Sequence, residues 1–350
     1  QIPETLPANI CTELNLLPRI KALKEIHQPS SETLIKVARY RLKWEELFFL
    51  QLELLLRKGA RTQKLKGYPI EEVGSAFLNF YQQHLPFELT GAQKRVLKEI
   101  RKDLGEGTHM NRLLQGDVGS GKTLVALLSL LLAIGNDLQG ALMAPTEILA
   151  NQHFIGISEL LHGMDIKVAL LTGSTKKAAR SEIHEGLLNG EIQLLIGTHA
   201  LLEDTVQFKN LGLVVIDEQH RFGVAQRAKM WRKNTTPPHV LIMTATPIPR
   251  TLAMTFYGDL DVSVIDELPP GRKPIQTIHR RENHREKLLA FIHEQLQLGR
   301  QAYIVYPLIQ ESEKLDFKNL EDGFVQIENY LKPLGFQISM VHGKMKPADK

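Results

Sequence analysis

An eight-residue stretch at positions 116–123, Gly-Asp-Val-Gly-Ser-Gly-Lys-Thr, limits the folds open to this chain. It matches G-x-x-x-x-G-K-[S/T] at every position, with a strand-like run before it and an apolar run, 124–134, after it. Glycines let backbone N–H groups approach phosphate oxygens, and the start of a helix favours the anion further. A chance glycine-rich turn is the alternative, which the strand–loop–helix order disfavours. The predicted cofactors are ATP and Mg²⁺. Lys122 is expected to act as a catalytic cation at the β/γ-phosphates, and Thr123 as a Mg²⁺ ligand. The predicted nucleotide-binding residues are Gly116, Asp117, Val118, Gly119, Ser120, Gly121, Lys122 and Thr123.

A pair of carboxylates follows a second apolar run. Residues 213–216, Leu-Val-Val-Ile, lead directly into Asp217 and Glu218. A buried strand that ends this way places both side chains at the carboxyl edge of a sheet, where α/β folds bind ligands. We expect Asp217 to hold Mg²⁺ and Glu218 to polarise the attacking water. A strand that merely enters an acidic loop is the commoner explanation of such a pair, but the upstream phosphate loop favours the functional one.

Apolar runs of strand length alternate with helical segments through the middle of the chain. This alternation predicts an α/β domain with a parallel sheet covered by helices on both faces. The predicted strands are 112–115, 141–144, 168–171, 194–197, 213–216 and 240–244. The predicted boundaries are a helical arm at 1–66, an ATP-binding domain at 67–265, a Pro/Gly linker at 266–275 and the start of a second α/β domain at 276–350. In that last part we expect a helix at 284–298 and a strand at 302–306.

The arm combines prolines with a long helical pattern. Residues 1–30 contain four prolines and predict irregular structure. From a cap at Ser30 or Ser31, helical spacing runs to about Lys58, with Gly59 as the expected stop; its last part is apolar nearly all round and is expected to pack on another body. The arm holds 12 basic and 7 acidic residues, a net +5, whereas the rest of the chain holds 31 basic and 32 acidic, a net −1. This excess predicts either a nucleic-acid contact or a solvated helix face, and the sequence leaves both open.

Composition excludes several classes of protein. The 43% hydrophobic residues among 350 support more than one folded core. The single cysteine excludes an internal disulfide framework and is typical of a reducing cytosol. The most apolar run, 124–134, is too short to span a bilayer, so we expect no membrane partner, and with the single cysteine this favours a cytoplasmic location. Since the chain does not begin with Met, we expect it to be part of a longer protein.

Several further motifs occur in a fixed order. Among them are LTGAQ at 89–93, APTEILANQH at 144–153, GTHAL at 197–201, DEQH at 217–220 followed by RFGV, TATPIPRTLA at 244–253, LPPGRKPI at 268–275 and HGKM at 342–345. With GDVGSGKT, they resemble the superfamily 2 helicases, and within them the RecG family, from about residue 87 to the end. The resemblance implies a RecA-like P-loop domain followed by the start of a second RecA-like domain. It also implies a bacterial, nucleoid-associated, monomeric, ATP-dependent motor.

The resemblance assigns roles residue by residue. Gln93 would read the adenine edge and Phe87 would stack near the base, although Thr90 and Gln93 also fit a helix capping box. Coupling between the ATP and DNA states falls to Gln219, His220, Thr244 and Thr246; from the residues alone, the two threonines fit an ordinary strand-end turn equally well. Expected contacts to the DNA backbone are Pro145, Thr146, Thr172, Gly173, Thr198, His199 and Arg250, with a solvated surface as the alternative for Arg250.

The function implied is a helicase or translocase on branched DNA, which regresses replication forks and migrates Holliday junctions in recombination and repair. Branched DNA is the expected partner, with a single-strand binding protein as a further one. A transcription-repair coupling translocase is the alternative, since that family shares RFGV and TATPIPRTL. The family's arginine finger and its fork-splitting N-terminal wedge have no counterpart in these residues. A second alternative is therefore an ATP- and DNA-binding module with little turnover of its own.

Overall fold

The computed structural model describes residues 2–64, 66–217, 236–246, 260–269, 271, 275–306, 320–342 and 345. It divides into two compact units, Gln1–Arg272 and Lys273–Lys350. The exact boundaries of arm, linker and domains proposed from the sequence stay predictions.

The first unit is built on a parallel sheet of seven strands in the order β3-β4-β2-β5-β6-β1-β7. All six predicted strands are present, and the predicted α/β fold with a parallel sheet is confirmed. The strands are β1 (Asn111–Gly116), β2 (Gln139–Met143), β3 (Val168–Leu171), β4 (Leu194–Gly197), β5 (Leu211–Asp217), β6 (His239–Thr244) and β7 (Asp261–Ile265).

Strand β7 was not predicted from the sequence. It is a short edge strand beside β1, and its burial is uneven along its length. Its alternating sequence, Asp-Val-Ser-Val-Ile, is less apolar than the central strands. Ser263 is nonetheless buried, because its hydroxyl accepts a hydrogen bond of 2.7 Å from Arg112 on β1.

Helices cover both faces of the sheet. Alternate residues of β5 lie in two separate cores, Leu213 and Val215 in one and Val214 and Ile216 in the other. The first core surrounds α6 (Lys122–Ile134), whose residues from Leu124 to Ala133 are all buried. Burial of each such leucine contributes about 1.5–3 kcal/mol, so this helix is a main anchor of the domain. The remaining covering helices are α4 (Gly74–Asn79), α5 (Gly91–Gly105), α7 (Glu147–Leu160) and α8 (Lys177–Asn189). Helix α4 continues as a π-helical turn (Phe80–His84), and a 3₁₀ turn lies at His199–Leu202.

The arm is more regular than the sequence predicted. Residues 1–30 contain two helices, α1 (Ala8–Glu13) and α2 (Arg19–His27), so the expectation of irregular structure there was wrong. Pro7 and Pro18 directly precede these helices and start them, because a proline has no N–H group to leave unpaired in a first turn.

The long arm helix, α3 (Glu32–Lys64), runs past its predicted end. Gly59 does not stop it, because an interior glycine costs only about 1 kcal/mol relative to alanine and the residues that follow favour a helix. Ser31 caps the start, its hydroxyl accepting from the Leu34 N–H at 3.2 Å. Arg41 is fully buried, bonded to Glu45 at 2.5 Å and to Glu4, which ties the start of the chain to α3. Leucines in the apolar stretch of α3 are exposed to solvent in the described part of the chain: Leu47, Leu55 and Leu56 are 57%, 57% and 66% exposed.

The second unit contains α9 (Arg285–Gln297), preceded by a 3₁₀ turn (Glu282–His284), and α10 (Leu320–Leu331), followed by a 3₁₀ turn (Lys332–Leu334). The predicted helix at 284–298 is thereby confirmed. The predicted strand at 302–306 was wrong, since no described segment pairs with it and a strand forms only by pairing. Tyr303 and Val305 are accordingly 91% and 89% exposed. In the described part of the chain, no helix is both long and apolar enough to cross a bilayer.

Candidate nucleotide and nucleic-acid site

Three neighbouring strands bring the predicted nucleotide-binding residues to one edge. Strand β6 lies between β5 and β1, and all three run in the same direction. Their carboxyl ends are Asp217 on β5, Thr244 on β6 and Gly116 on β1. Asp217 pairs in register with Met243, and Thr244 with Gln115. The phosphate loop, the first carboxylate and the strand-end threonine therefore share one end of the sheet, as the sequence predicted.

The phosphate loop depends on its glycines. Gly119 and Gly121 have φ angles of 76° and 85°, in the left-handed region that disfavours residues with a side chain. A Cβ at Gly116 would lie 2.5 Å from the Ser120 hydroxyl oxygen, and one at Gly121 would collide with the Gln93 amide nitrogen. The backbone conformation at Gly119 and Gly121, and the packing at Gly116 and Gly121, therefore require glycine at these positions.

Lys122 and Thr123 begin α6, directly after the loop. The Lys122 ammonium donates hydrogen bonds to the carbonyl oxygens of Gly116 and Asp117, at 2.8 and 2.9 Å, so its charge lies across the loop. The first N–H groups of a helix have no partner within it and carry partial positive charge. Among the described residues, the buried Ser120 hydroxyl oxygen has no hydrogen-bond partner. The Lys122 ammonium, the start of α6, the glycine backbone and the Ser120 hydroxyl are together suited to binding a polyphosphate.

Gln93 connects this loop to the start of α5. Its side-chain oxygen accepts from the Thr90 N–H at 2.9 Å, and the Thr90 hydroxyl accepts from the Gln93 N–H at 3.2 Å, so the capping box is confirmed. Its amide nitrogen donates to the Ser120 carbonyl oxygen at 2.8 Å, and the side chain is fully buried. Gln93 thus orders the phosphate loop, and adenine reading stays a prediction. Phe87, the expected base-stacking residue, is 52% exposed.

The start of α5 is also held by residues that follow β7. The Glu267 carboxylate accepts from the Ala92 N–H at 2.9 Å. Arg95 donates to Asp266 at 2.7 Å, and this hydrogen bond lowers the pKa of the Asp266 carboxyl. The first residues of the predicted linker are therefore bound to the helix that carries Gln93.

Asp217 has a partner that sequence reasoning missed. The His153 Nε2 atom lies 2.8 Å from an Asp217 carboxylate oxygen, and both side chains are 13% exposed. The two residues are 64 positions apart, and no spacing in the sequence signals the contact. Among the described residues, no three His, Cys, Asp or Glu side chains form a metal cluster. A Mg²⁺ ion held by one carboxylate, the Thr123 hydroxyl and the nucleotide phosphates fits this arrangement, since Mg²⁺ rarely uses all-protein cages.

The remaining nucleotide-side predictions are only partly described. Thr244 is buried, and its hydroxyl accepts from the Thr246 N–H at 3.2 Å and lies 2.9 Å from the Thr246 hydroxyl. This is a local strand-end turn, and its coupling role stays a prediction. Glu218, Gln219, His220 and Arg250 lie outside the described residues.

The predicted DNA contacts follow three further strands of the sheet. Pro145 and Thr146 follow β2, Thr172 and Gly173 follow β3, and Thr198 and His199 follow β4. These strands are also adjacent, in the order β3-β4-β2, so their loops form a second group at the same edge.

Most of the threonines in this group are used within the protein. Thr146 caps α7 by accepting from the Leu149 N–H at 3.3 Å. The buried Thr172 hydroxyl lies 2.9 Å from the Ser174 hydroxyl, and Thr198 is only 2% exposed. Gly173 and His199 are exposed, so backbone and histidine rather than threonine hydroxyls form much of the surface there.

The comparisons with known proteins agree with this geometry. A DEAD/DEAH box helicase family model matches residues 90–255, which run from the capping box through the phosphate loop to the segment after β6. Fold, site and family model together identify the first unit as a RecA-like P-loop domain similar to those of DEAD/DEAH box helicases.

Two curated relatives and one solved structure carry the same protein name. The chain is 47% identical to the ATP-dependent DNA helicase RecG of Synechocystis sp. and 46% identical to that of Bacillus subtilis, in each case over 100% of its own length. A solved structure of RecG bound to a three-way DNA junction matches 95% of the chain with 42% identity and a TM-score of 0.76. The chain is thus a relative of RecG, which confirms the resemblance seen in the motifs. It spans 42% and 51% of the two curated relatives and 43% of the chain in that structure, about half their length.

Proposed function

We propose that this chain is the motor part of an ATP-dependent DNA helicase or translocase that acts on branched DNA. The observation that carries the proposal is the shared sheet edge. A glycine-cradled phosphate loop follows β1 and leads to Lys122 at the start of α6, Asp217 ends β5, and the loops after β2, β3 and β4 form an adjoining group. The relatives named as RecG helicases, and the RecG structure with a three-way DNA junction, support the substrate class.

The nucleotide chemistry would be carried by few residues. Lys122 would leave the carbonyl oxygens of Gly116 and Asp117 and neutralise the β/γ-phosphates. Thr123 and Asp217 would hold Mg²⁺, which when bound neutralises charge on the transferred phosphoryl group. Glu218 would orient the attacking water. An arginine finger is typically worth 10³–10⁵ in rate. We propose that this chain binds ATP well and hydrolyses it slowly unless such an arginine reaches the γ-phosphate.

The DNA side would bind backbone rather than bases. The exposed Gly173 and His199 lie in loops that can contact phosphates without reading sequence, as a motor requires. ATP binding and hydrolysis would alternately strengthen and weaken this grip. In the whole protein the outcome would be fork regression and Holliday junction branch migration. We further propose a monomeric motor in the bacterial cytoplasm, with a single-strand binding protein as a partner.

The decisive experiment compares nucleotide binding with DNA binding. We expect a fluorescent ATP analogue to bind the chain, and Lys122→Ala to lose that binding while keeping affinity for a three-way junction. Lys167→Ala is the matched control, because Lys167 directly precedes β3 at the opposite edge of the sheet and is exposed. Equal analogue binding by wild type and Lys122→Ala would refute the loop assignment.

A second measurement separates the substrate classes. ATP hydrolysis by the chain is compared with forked DNA, linear duplex and no DNA. Stimulation greater with forked than with linear DNA supports the proposal. Equal stimulation by both DNA forms favours a duplex translocase, and binding without turnover would identify an ATP- and DNA-binding module.

A further inference from the structure

The contact between His153 and Asp217 joins the two groups of loops. His153 lies on α7, the helix that follows β2, whereas Asp217 ends β5 on the nucleotide side. A carboxylate oxygen can only accept, so the Nε2 N–H of His153 donates this 2.8 Å hydrogen bond. At 13% exposure each, the two side chains are shielded from competing water.

His153 is held in place by its helix. Thr146 caps α7, and the Glu147 carboxylate accepts from both the N–H and the hydroxyl of Ser174, each at 3.1 Å. Ala150 and Ile157, on either side of His153 along the helix, are buried. With a rise of about 1.5 Å per residue, His153 lies about 9 Å along the helix axis from Glu147. The imidazole therefore approaches Asp217 from a rigid, doubly anchored helix rather than from a loop.

We propose that His153 is a positioning residue that orients Asp217 for a divalent cation. By binding one carboxylate oxygen, it fixes the plane of the group and leaves the other oxygen for the metal. Asp217 lies at the last position of β5, where the strand constrains its backbone but not the rotation of its carboxyl group. Partners that orient a ligand typically change metal affinity 10–100-fold when they are removed. The inference rests on the proposed nucleotide function, because it concerns the same metal.

The test is a Mg²⁺ titration of nucleotide binding. The chain is mixed with a fluorescent ATP analogue, Mg²⁺ is added, and the concentration that gives half of the Mg²⁺-dependent signal change is measured. The variants are His153→Leu, which removes the hydrogen bond, and His153→Gln, whose side-chain amide can replace it. His162→Gln is the control, since His162 is an exposed histidine two residues after the end of α7.

We expect the Mg²⁺ midpoint of His153→Leu to rise 10–100-fold. His153→Gln should recover most of the wild-type value, and His162→Gln should match wild type. Analogue binding without Mg²⁺ should be unchanged in all three. A mere packing role would predict instead a lower melting temperature with the same midpoint, or equal losses in the Leu and Gln variants; either result would overturn the proposal.

The two proposals fail in different ways. If wild type does not bind the analogue at all, the proposed nucleotide function fails. If wild type binds it but shows no response to Mg²⁺, or if His153→Leu keeps the wild-type midpoint, the role of His153 fails while nucleotide binding stands.

Discussion

The two groups of loops at the carboxyl edge of the sheet use similar small and hydroxyl residues in opposite ways. The nucleotide group consists of the loops after β1, β5 and β6. In it, Gly119 and Gly121 have no side chain to cover the backbone, and Lys122 supplies the cation. In the nucleic-acid group, after β2, β3 and β4, Thr146 and Thr172 bond to their own loops.

This difference shows how the sequence motifs should be interpreted. On the nucleotide side the motif residues themselves have the chemistry that a ligand needs. On the nucleic-acid side the threonines shape the loops, and the exposed backbone and His199 remain to contact a partner. Substitutions should therefore abolish function in the first group and alter stability or loop shape in the second.

Matched glycine substitutions give the largest expected contrast. Gly121→Ala places a methyl group at a φ of 85° and against the Gln93 amide, so it should weaken ATP-analogue binding about 5–30-fold or more. Gly173→Ala brings its Cβ within 3.1 Å of a Glu147 carboxylate oxygen, which needs to shift by only a few tenths of an ångström and can keep its bonds to Ser174, so analogue binding should be unchanged. Equilibrium fluorescence titration measures both. Equal losses in the two variants would show that the two groups are not separable.

Gln93 tests whether capping and adenine recognition are distinct. Thr90→Ala should cost about 1 kcal/mol of unfolding free energy through loss of the cap, yet keep any preference for ATP over GTP. Gln93→Ala also removes the hydrogen bond to the Ser120 carbonyl oxygen and should weaken binding of both nucleotides.

The ratio of ATP to GTP affinity is the deciding measurement. If Gln93 reads adenine, the ratio falls towards one in Gln93→Ala and not in Thr90→Ala. An unchanged ratio in both variants would leave Gln93 as a residue that only orders the loop.

In the nucleic-acid group, substitution of a helix-capping residue should change stability rather than nucleotide binding. Thr146→Ala removes the hydrogen bond to the Leu149 N–H and should lower the unfolding free energy by about 1 kcal/mol, whereas Thr146→Ser should keep it. Urea denaturation measures this difference. ATP-analogue binding should be the same in both variants, and a large loss in Thr146→Ala alone would mean that α7 transmits strain to the nucleotide side.

Much of this architecture follows from local sequence patterns, and the exceptions have physical causes. The central strands are continuous apolar runs, so β2, β4 and β5 are predictable, whereas the edge strand β7 carries Asp261 and Ser263 and is not. The segment 302–306 has strand composition but lacks a described partner. The contact of His153 with Asp217 depends on how α7 packs, which no local pattern specifies.

Substitution of His239 should give the smallest effect, a change in the pH dependence of stability that does not alter either group of loops. His239 begins β6 at the opposite edge, where its Nδ1 accepts from the Met110 N–H at 3.0 Å and its Nε2 donates to the Tyr68 carbonyl oxygen at 2.7 Å. The His109 ring stacks on the His239 ring, with 6.3 Å between the ring centroids. Burial lowers the pKa of His239 below its usual value near 6.5, so the unfolded chain takes up a proton before the folded one does.

Stability from His239 is therefore complete above about pH 6.5 and is lost as the pH falls towards the lowered pKa of the folded state. The melting temperature of wild type should decline over that range more steeply than that of His239→Gln, whose neutral amide has no proton to gain. ATP-analogue affinity, measured at a temperature where both proteins are folded, should change equally with pH in the two. A pH response of binding that disappears in His239→Gln would show instead that the amino edge of the sheet communicates with the phosphate loop through β6, and the two edges could no longer be treated as independent.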